Sequence, residues 1–170
     1  MFKKRFTILL LPAVLFLLCI PVHARNNACT EITSTDMTFK GRENLVVFSG
    51  DVYVLRHDFE LWSDELYVYL KHGTEINESS VEGDHENIEK IVARGQVRIQ
   101  GDGREGRSGL LTYHPDTEVV EMEQDPMLIE GRNTIEGEKI VLNLKDHTSQ
   151  VFGSDAKRVR VIFHPDEDEQ

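Results

Sequence analysis

Histidines and carboxylates are the side chains of this sequence that could carry out acid–base or metal chemistry. The chain of 170 residues holds seven His and thirty Asp or Glu, so ligands and proton carriers are numerous. A metal site also needs them at a defined spacing, such as two His four residues apart on one helix face. No such spacing occurs here, so we expect no metal site and no cofactor. We interpret five histidines as surface side chains: His72, His85, His114, His147 and His164.

Nucleophilic catalysis also lacks its usual motifs here. The sequence has no Gly-x-Ser-x-Gly elbow, no Cys/His pairing and no paired carboxylates in a cleft-like context. The glycine-rich segment 101–106 resembles a phosphate-binding loop, but it precedes a predicted strand and so has no helix N-terminus to hold a phosphate. We interpret it as a tight turn with bulges and predict that the protein is not an enzyme. An exported enzyme on a β scaffold is the disfavoured alternative.

Apolar side chains at alternate positions are the main pattern in the rest of the chain. Residues 46–70, VVFSGDVYVLRHDFELWSDELYVYL, show it most fully. A period of two indicates strands with one buried face, whereas a helix would place apolar residues three and four apart. We find no sustained helical stripe after residue 24. The sequence therefore predicts an all-β protein with little or no helix.

Three segments repeat the same landmarks, at spacings of 45 and then 29 residues. Self-similarity of this kind marks stacked supersecondary units that share one core. Each unit reads as strand, turn, strand, and a partial fourth unit follows at Val151. The landmarks are, unit by unit, Gly50, Val52 and Leu66, then Gly95, Val97 and Leu111, then Gln124, Pro126 and Ile140.

Residues 1–24 have the pattern of a cleavable signal peptide. A basic start is followed by the apolar run 6–20, which is shorter than the ~20 residues that a membrane span needs, and by the small-residue pattern Val22-His23-Ala24. Cys19 would suggest a lipoprotein, but Leu18 stands before it where a small residue is expected. We predict that the chain is exported.

The rest of the chain divides into a flexible leader at 25–35, one domain at 36–163 and an acidic tail at 164–170. The acidic segment 72–90 has almost no apolar periodicity, so we interpret it as an exposed loop inserted between units. Only Cys29 would remain after cleavage, so we expect no intrachain disulfide.

The charge of the exported chain excludes some partners. Cleavage removes three basic residues and no acidic ones, which leaves 16 basic against 30 acidic side chains and a net charge of about −14. Nucleic acids and anionic membrane surfaces attract clustered Lys and Arg. We therefore expect neither as a partner.

Inward-facing apolar positions are the candidates for a binding site. A packed core would explain them, but a repeat sheet that curls into an open, jelly-roll-like trough would leave part of them lining a groove that suits acyl chains. The two ends of an open stack also leave unpaired edge strands for partners. The candidate groove residues are Val46, Phe48, Val52, Val54, Phe59, Leu61, Leu66, Val68, Leu70, Val97, Ile99, Leu111, Val120, Met122, Leu128, Ile135, Ile140, Leu142 and Leu144, and the candidate edge residues are Met37, Phe39, Val159, Val161 and Phe163.

Four short stretches resemble the OstA/LptA family of lipopolysaccharide export. They are FSGDVYV at 48–54, LWSDEL at 61–66, IEGEKI at 135–140 and SDAKRV at 154–159, and the likeness spans about 36–163. The resemblance implies an open, V-shaped, twisted antiparallel β-jellyroll that shields the acyl chains of lipid A during passage through the periplasm.

The same resemblance implies partners at both ends of the domain. In this family related domains occur in an LptC-like inner-membrane protein and at the N-terminus of an LptD-like outer-membrane translocon, and edge strands join them end to end. A head-to-tail homo-oligomer follows from the same edges. The alternative is an LptC-like or accessory OstA-domain docking module with little lipid binding of its own, although the cleavable signal peptide disfavours an anchored LptC-like protein.

Overall fold

The computed structural model describes residues 30–71 and 87–165. The predicted signal peptide, Cys29, most of the acidic insertion with His72 and His85, and the tail from residue 166 lie outside the described residues. The described part contains one single-turn 3₁₀ helix, Gly41–Glu43, and no α-helix. Its twelve strands are β1 Glu31–Thr33, β2 Asp36–Lys40, β3 Leu45–Leu55, β4 Glu60–Leu70, β5 Ile88–Gly101, β6 Arg104–His114, β7 Val119–Glu123, β8 Met127–Glu130, β9 Asn133–Glu136, β10 Lys139–Asn143, β11 Thr148–Phe152 and β12 Arg160–Ile162.

All twelve strands belong to one antiparallel sheet, as the sequence predicts. The long strands β3 to β6 run across its full width, and their pairing register shifts near the middle, between residues 49 and 52, 62 and 65, and 94 and 97. We call this line of shifts the seam. It divides the sheet into two halves that share the same four strands.

Shorter strands complete each half. On one side of the seam β2 pairs with β3, and β7, β10 and β11 follow β6 in order. We call this half the first layer. On the other side β1 pairs with β3, and β8, β9 and β12 follow β6. This half is the second layer.

The seam coincides with the repeat landmarks. Residue pairs 50–51, 95–96 and 124–125 all have positive φ, between 43° and 80°. Extra residues in this conformation interrupt the ladder and redirect the strand, as in β-bulges. The third pair has no glycine, and there the chain divides into the separate strands β7 and β8. Pro126 follows that break, where no ladder donor is required of it.

The hydrophobic core lies between the layers beside the seam. Besides Pro126, which is less than 2% exposed, seven side chains of the core are at most 2% exposed: Val52, Leu66, Ala93, Val97, Leu111, Met122 and Ile140. Met122 of the first layer reaches Gly106 of the second, where a β-carbon would lie 2.9 Å from Met122 Cε. Each buried side chain of this size contributes about 1.5–3 kcal/mol. The layers therefore pack directly against each other along the seam.

Two predicted boundaries are wrong. The candidate edge residues Val159, Val161 and Phe163 imply a last strand over residues 158–163, but the strand covers only Arg160–Ile162. The preceding segment turns through the Ser154 N–H to Lys157 carbonyl bond as it crosses between layers. Val159 and Phe163 thus lie just outside β12. In addition, β10 ends at Asn143, whose Oδ1 accepts a hydrogen bond from the Asp146 N–H at 2.9 Å. Such side-chain bonds favour turns over strands.

The seam glycines give a test of this architecture. Gly95 has φ +74°, and a β-carbon there would lie 2.9 Å from Asp64 Cβ, whereas Gly103 has the same φ with nothing within 4 Å. Gly103→Ala should lower the free energy of unfolding by about 1–2 kcal/mol, the cost of a left-handed Ala. Gly95→Ala should lose a further 1–3 kcal/mol or so through overpacking. Urea denaturation measures both, and equal losses would contradict the tight packing at the seam.

Candidate functional site

The inward faces of the two layers form a trough whose burial decreases away from the seam. Its floor is the set of seven nearly inaccessible side chains beside the seam. Further out lie Val54, Leu61, Val68, Val120 and Leu128, which are 5–8% exposed. Partly buried side chains then line the rims and the two ends: Val46, Phe48, Phe59, Leu70, Ile99, Ile135 and Leu142.

The structure places all but one of the predicted groove residues on this apolar interior. Leu144 is the exception, because it follows the end of β10 and is 46% exposed. The prediction also omitted inward residues that pack against the same core, namely Ile32, Ile88, Ile91, Ala93, Tyr113 and Val151. Their place in the apolar alternation along each strand could have identified them, since residues directly opposite one another on paired strands share a face.

The floor of the trough contains little polar chemistry. Ser63 and Ser108 are its buried hydroxyl side chains. Ser63 Oγ donates a hydrogen bond to the Glu65 carbonyl at 3.1 Å, whereas Ser108 Oγ has no hydrogen-bond partner. The remaining buried members of the core are hydrocarbon or thioether side chains. Such a surface offers burial to alkyl chains and few hydrogen bonds to polar ligands.

The outer face of strands β3 to β5 carries aromatic and cationic side chains instead. Trp62 faces outward, with its ring centroid 5.4 Å from that of Tyr53 and 3.8 Å from Arg98 Cζ. The Tyr53 hydroxyl donates to Glu60 Oε2 at 2.8 Å, and this bond raises the pKa of Tyr53. Two similar pairs follow along the first layer, Arg94 over Tyr67 and Lys90 over Tyr69. Cross-strand pairs of this kind stabilise the sheet and keep its outer face polar.

Each end of the sheet consists of two edge strands, one in each layer. At the N-terminal end these are β1 in the second layer, with three residues, and β2 in the first, with five. At the C-terminal end β12 in the second layer has three residues and β11 in the first has five. Met37 and Phe39 lie exposed on β2, and Val161 lies exposed on β12.

The prediction placed a partial fourth unit at Val151, which lies in β11, but assigned the C-terminal edge to the last strand alone. Strand β11 pairs with β10 so that Ser149 and Val151 share the inward face, and only one of these two is apolar. An alternation with a single apolar position gives little periodic signal. The C-terminal end therefore offers two strands to a partner.

Other chemistry finds little support in the part of the chain that the structure describes. Within residues 30–71 and 87–165, no three His, Cys, Asp or Glu side chains are grouped so that they could hold a metal ion. In the same ranges no helix is long and apolar enough to cross a membrane. The segment 101–106 contains the tight turn predicted, with Asp102 and Gly103 both at positive φ.

Comparisons with known proteins agree with this geometry. A family model described as "LptA/(LptD N-terminal domain) LPS transport protein" matches residues 31–148. The crystal structure of LptH, the LptA homologous periplasmic component of the lipopolysaccharide transport device of Pseudomonas aeruginosa, superposes with a TM-score of 0.66 at 14% identity. That match covers 80% of this chain and 95% of LptH. No curated protein sequence matches.

The structural likeness confirms the open antiparallel β-jellyroll. The family match runs from the first edge strand to the start of β11 and so includes ten strands from the two layers and the whole seam. Because it covers more than half of the sequence, the chain belongs to the LptA/LptD N-terminal domain family of LPS transport proteins.

Proposed function

We propose that the protein is a periplasmic lipopolysaccharide carrier whose trough shields the acyl chains of lipid A and whose ends join it to other export components. The observation that carries this proposal is the apolar trough, graded from a packed floor to accessible rims. Family membership supports lipopolysaccharide as the cargo. The likeness to a periplasmic component supports the compartment, together with the signal-peptide pattern of residues 1–24.

Burial of hydrocarbon is sufficient to hold such a ligand. Each methylene removed from water contributes about 0.8 kcal/mol, so several acyl chains are held without polar contacts. The protein's own side chains already fill the floor. The acyl chains of the ligand therefore lie against partly buried rim residues, such as Phe59, Leu70 and Leu142. On the inner face of each layer, the side chains near the seam thus form the core, and those near the rim form the binding surface.

The two ends support assembly by strand addition. In the first layer, β11 runs toward the seam and β2 runs away from it; in the second layer, β12 runs away from the seam and β1 runs toward it. When the C-terminal end of one copy meets the N-terminal end of the next, the adjoining strands are therefore antiparallel in both layers. With the seam continuous and inward faces matched, Val151 lies opposite Met37, and Val161 lies opposite Ile32. An LptC-like inner-membrane protein and an LptD-like translocon offer related strands, so the same junctions serve these partners.

A docking module with little lipid binding of its own is the second candidate. The contact between Met122 and Gly106 favours it, because the trough is filled at that point. Native mass spectrometry of the exported protein with lipopolysaccharide separates the two functions. A carrier shows a one-to-one mass shift that survives dilution, whereas a docking module shows only the mass of the free protein.

The trough assignment makes a prediction about face specificity. Val68→Asp and Leu70→Asp place a carboxylate inside the trough, where it must be desolvated beside acyl chains. Both should weaken lipopolysaccharide binding at least tenfold, or about 1.4 kcal/mol. Tyr69→Asp is the matched control, since its ring lies on the outer face beneath Lys90 Nζ at 4.7 Å. Leu70 is only partly buried, so its variant keeps the fold. Fluorescent-lipid displacement measures binding, and equal weakening by Tyr69→Asp would refute the assignment.

The edges make a second prediction. Phe39→Asp puts a charge on the exposed inward face of β2 and should reduce concentration-dependent association of the protein. Leu144→Asp is the control, since both side chains are 46% exposed but Leu144 lies in a turn and not on an edge strand. Neither change should alter the melting temperature by much, because both residues already face solvent. Light scattering over a concentration series tests this, and a wild-type monomer at every concentration would exclude the junction.

A further inference from the structure

The turn between β3 and β4 places a cation at the mouth of the trough. Val52 and Val54 face inward on β3, so Arg56, two residues further on, continues that face at the rim of the second layer. Its Cζ lies 5.4 Å from the centroid of the Phe59 ring, and its side chain is only 23% exposed. The guanidinium therefore lies over an apolar rim residue and not in bulk water.

Arg56 also reaches the opposite rim. Tyr113 lies near the end of β6 in the first layer, opposite Ile91, and packs against the core from the inward face. Burial raises the pKa of the Tyr113 hydroxyl, and the charge and hydrogen bonding of Arg56 oppose that rise. The charge of a second-layer residue thus acts on a residue of the first layer across the open side of the trough.

The hydrogen bonding of Arg56 is incomplete. Nε lies 2.8 Å from Asp58 Oδ1, which makes an ion pair, but the N–H is not directed at that oxygen and Nε is buried with no hydrogen-bond partner. Asp58 is half exposed, so water competes for its carboxylate. A buried guanidinium donor without a partner is costly, and its planar fork matches the oxygens of a phosphate in two parallel hydrogen bonds.

We propose that Arg56 anchors a phosphate of the amphiphile's head group while the acyl chains occupy the trough, an inference that rests on the function proposed above. The phosphate replaces Asp58 as the partner of the guanidinium and takes the free Nε–H. The position suits an amphiphile, because the cation lies where the apolar interior meets solvent. Asp58 and Glu118 place negative charge nearby and oppose the binding of any anion, so the guanidinium is required to offset them.

The experiment compares two amphiphiles with identical acyl chains, lipid A with its two phosphates and the same molecule after dephosphorylation. Arg56→Gln should weaken binding of the phosphorylated form about tenfold, the effect of losing a hydrogen-bonded charge, and leave the dephosphorylated form within about twofold. Arg56→Lys keeps the charge without the fork and should give an intermediate loss. Asp58→Asn removes the competing carboxylate and should tighten binding of the phosphorylated form alone.

Arg104→Gln is the matched control for lost charge. Arg104 lies at the same rim, at the start of β6, but its side chain is 56% exposed and its Nε already donates to Glu130 Oε1 at 3.1 Å. This variant should bind both amphiphiles as the wild type does. An equal loss in Arg104→Gln and Arg56→Gln would show that only overall charge matters and would overturn the proposal.

Two further outcomes are decisive. If Arg56→Gln weakens both amphiphiles equally, Arg56 only shapes the rim, and the anchor is refuted. If inorganic phosphate alone binds wild type as tightly as phosphorylated lipid A does, and Arg56→Gln abolishes this, the site takes free phosphate and not a lipid head group. Failure of wild type to bind either amphiphile would instead refute the carrier function itself, and thermal unfolding of each variant confirms that the fold is kept.

Discussion

The pairs of left-handed residues at the seam are the constraint on which the rest of this structure depends. A sheet of twelve strands without interruption would be a twisted ribbon with two solvent-exposed faces. Residues 50–51, 95–96 and 124–125 redirect the long strands, so one sheet supplies both layers. Each long strand then contributes side chains to both walls, and the contact of Met122 with Gly106 closes the floor between them. The trough is open because no strand pairing joins the layers on the side opposite that line, where only side chains such as Arg56 and Tyr113 approach each other.

In the proposed carrier, the inward side chains would contribute to both stability and binding, in different proportions. Floor residues have exchanged all their water for protein contacts and contribute mainly to folding. Rim residues such as Leu70 and Leu142 keep part of their surface, so a ligand gains by covering them. Local opening costs least where fewest apolar contacts are made, which is at the rims and ends. Under the proposed carrier function, cargo would meet the most compliant part of the protein while the floor keeps its shape.

The sequence predicted those features that depend on local alternation. The period of two assigned Val52, Leu66 and Ile140 to the interior. The repeat spacing marked Gly50 and Gly95 as equivalent landmarks, and the structure shows that they are corners with left-handed backbone, which favours glycine. Family likeness gave the open jellyroll. The groove positions follow from the same alternation, since residues on one face of a strand share their neighbours.

Features that depend on contacts between distant segments were not predicted. The apolar pattern does not reveal that the third unit divides into β7 and β8, because Pro126 is apolar and as buried as Val52 and Val97 at the corresponding positions. Leu144 fits the alternation, but the Asn143 side chain ends the strand one residue earlier. Arg56 and Tyr113 are 57 positions apart, and only the folded trough brings the turn to the opposite rim.

The equal strand lengths at the two ends have a consequence for the size of any assembly. A subunit whose ends complement each other, but not themselves, adds to a growing row without limit, because each addition exposes the same pair of edges again. The structure of the subunit therefore does not fix the number of copies in such a row. In the assembly proposed above, its extent would be fixed by related domains that offer only one kind of end, because these would act as caps and stop growth in one direction. The ratio of caps to subunits, and not any feature inside the domain, would then set how many copies span a given distance.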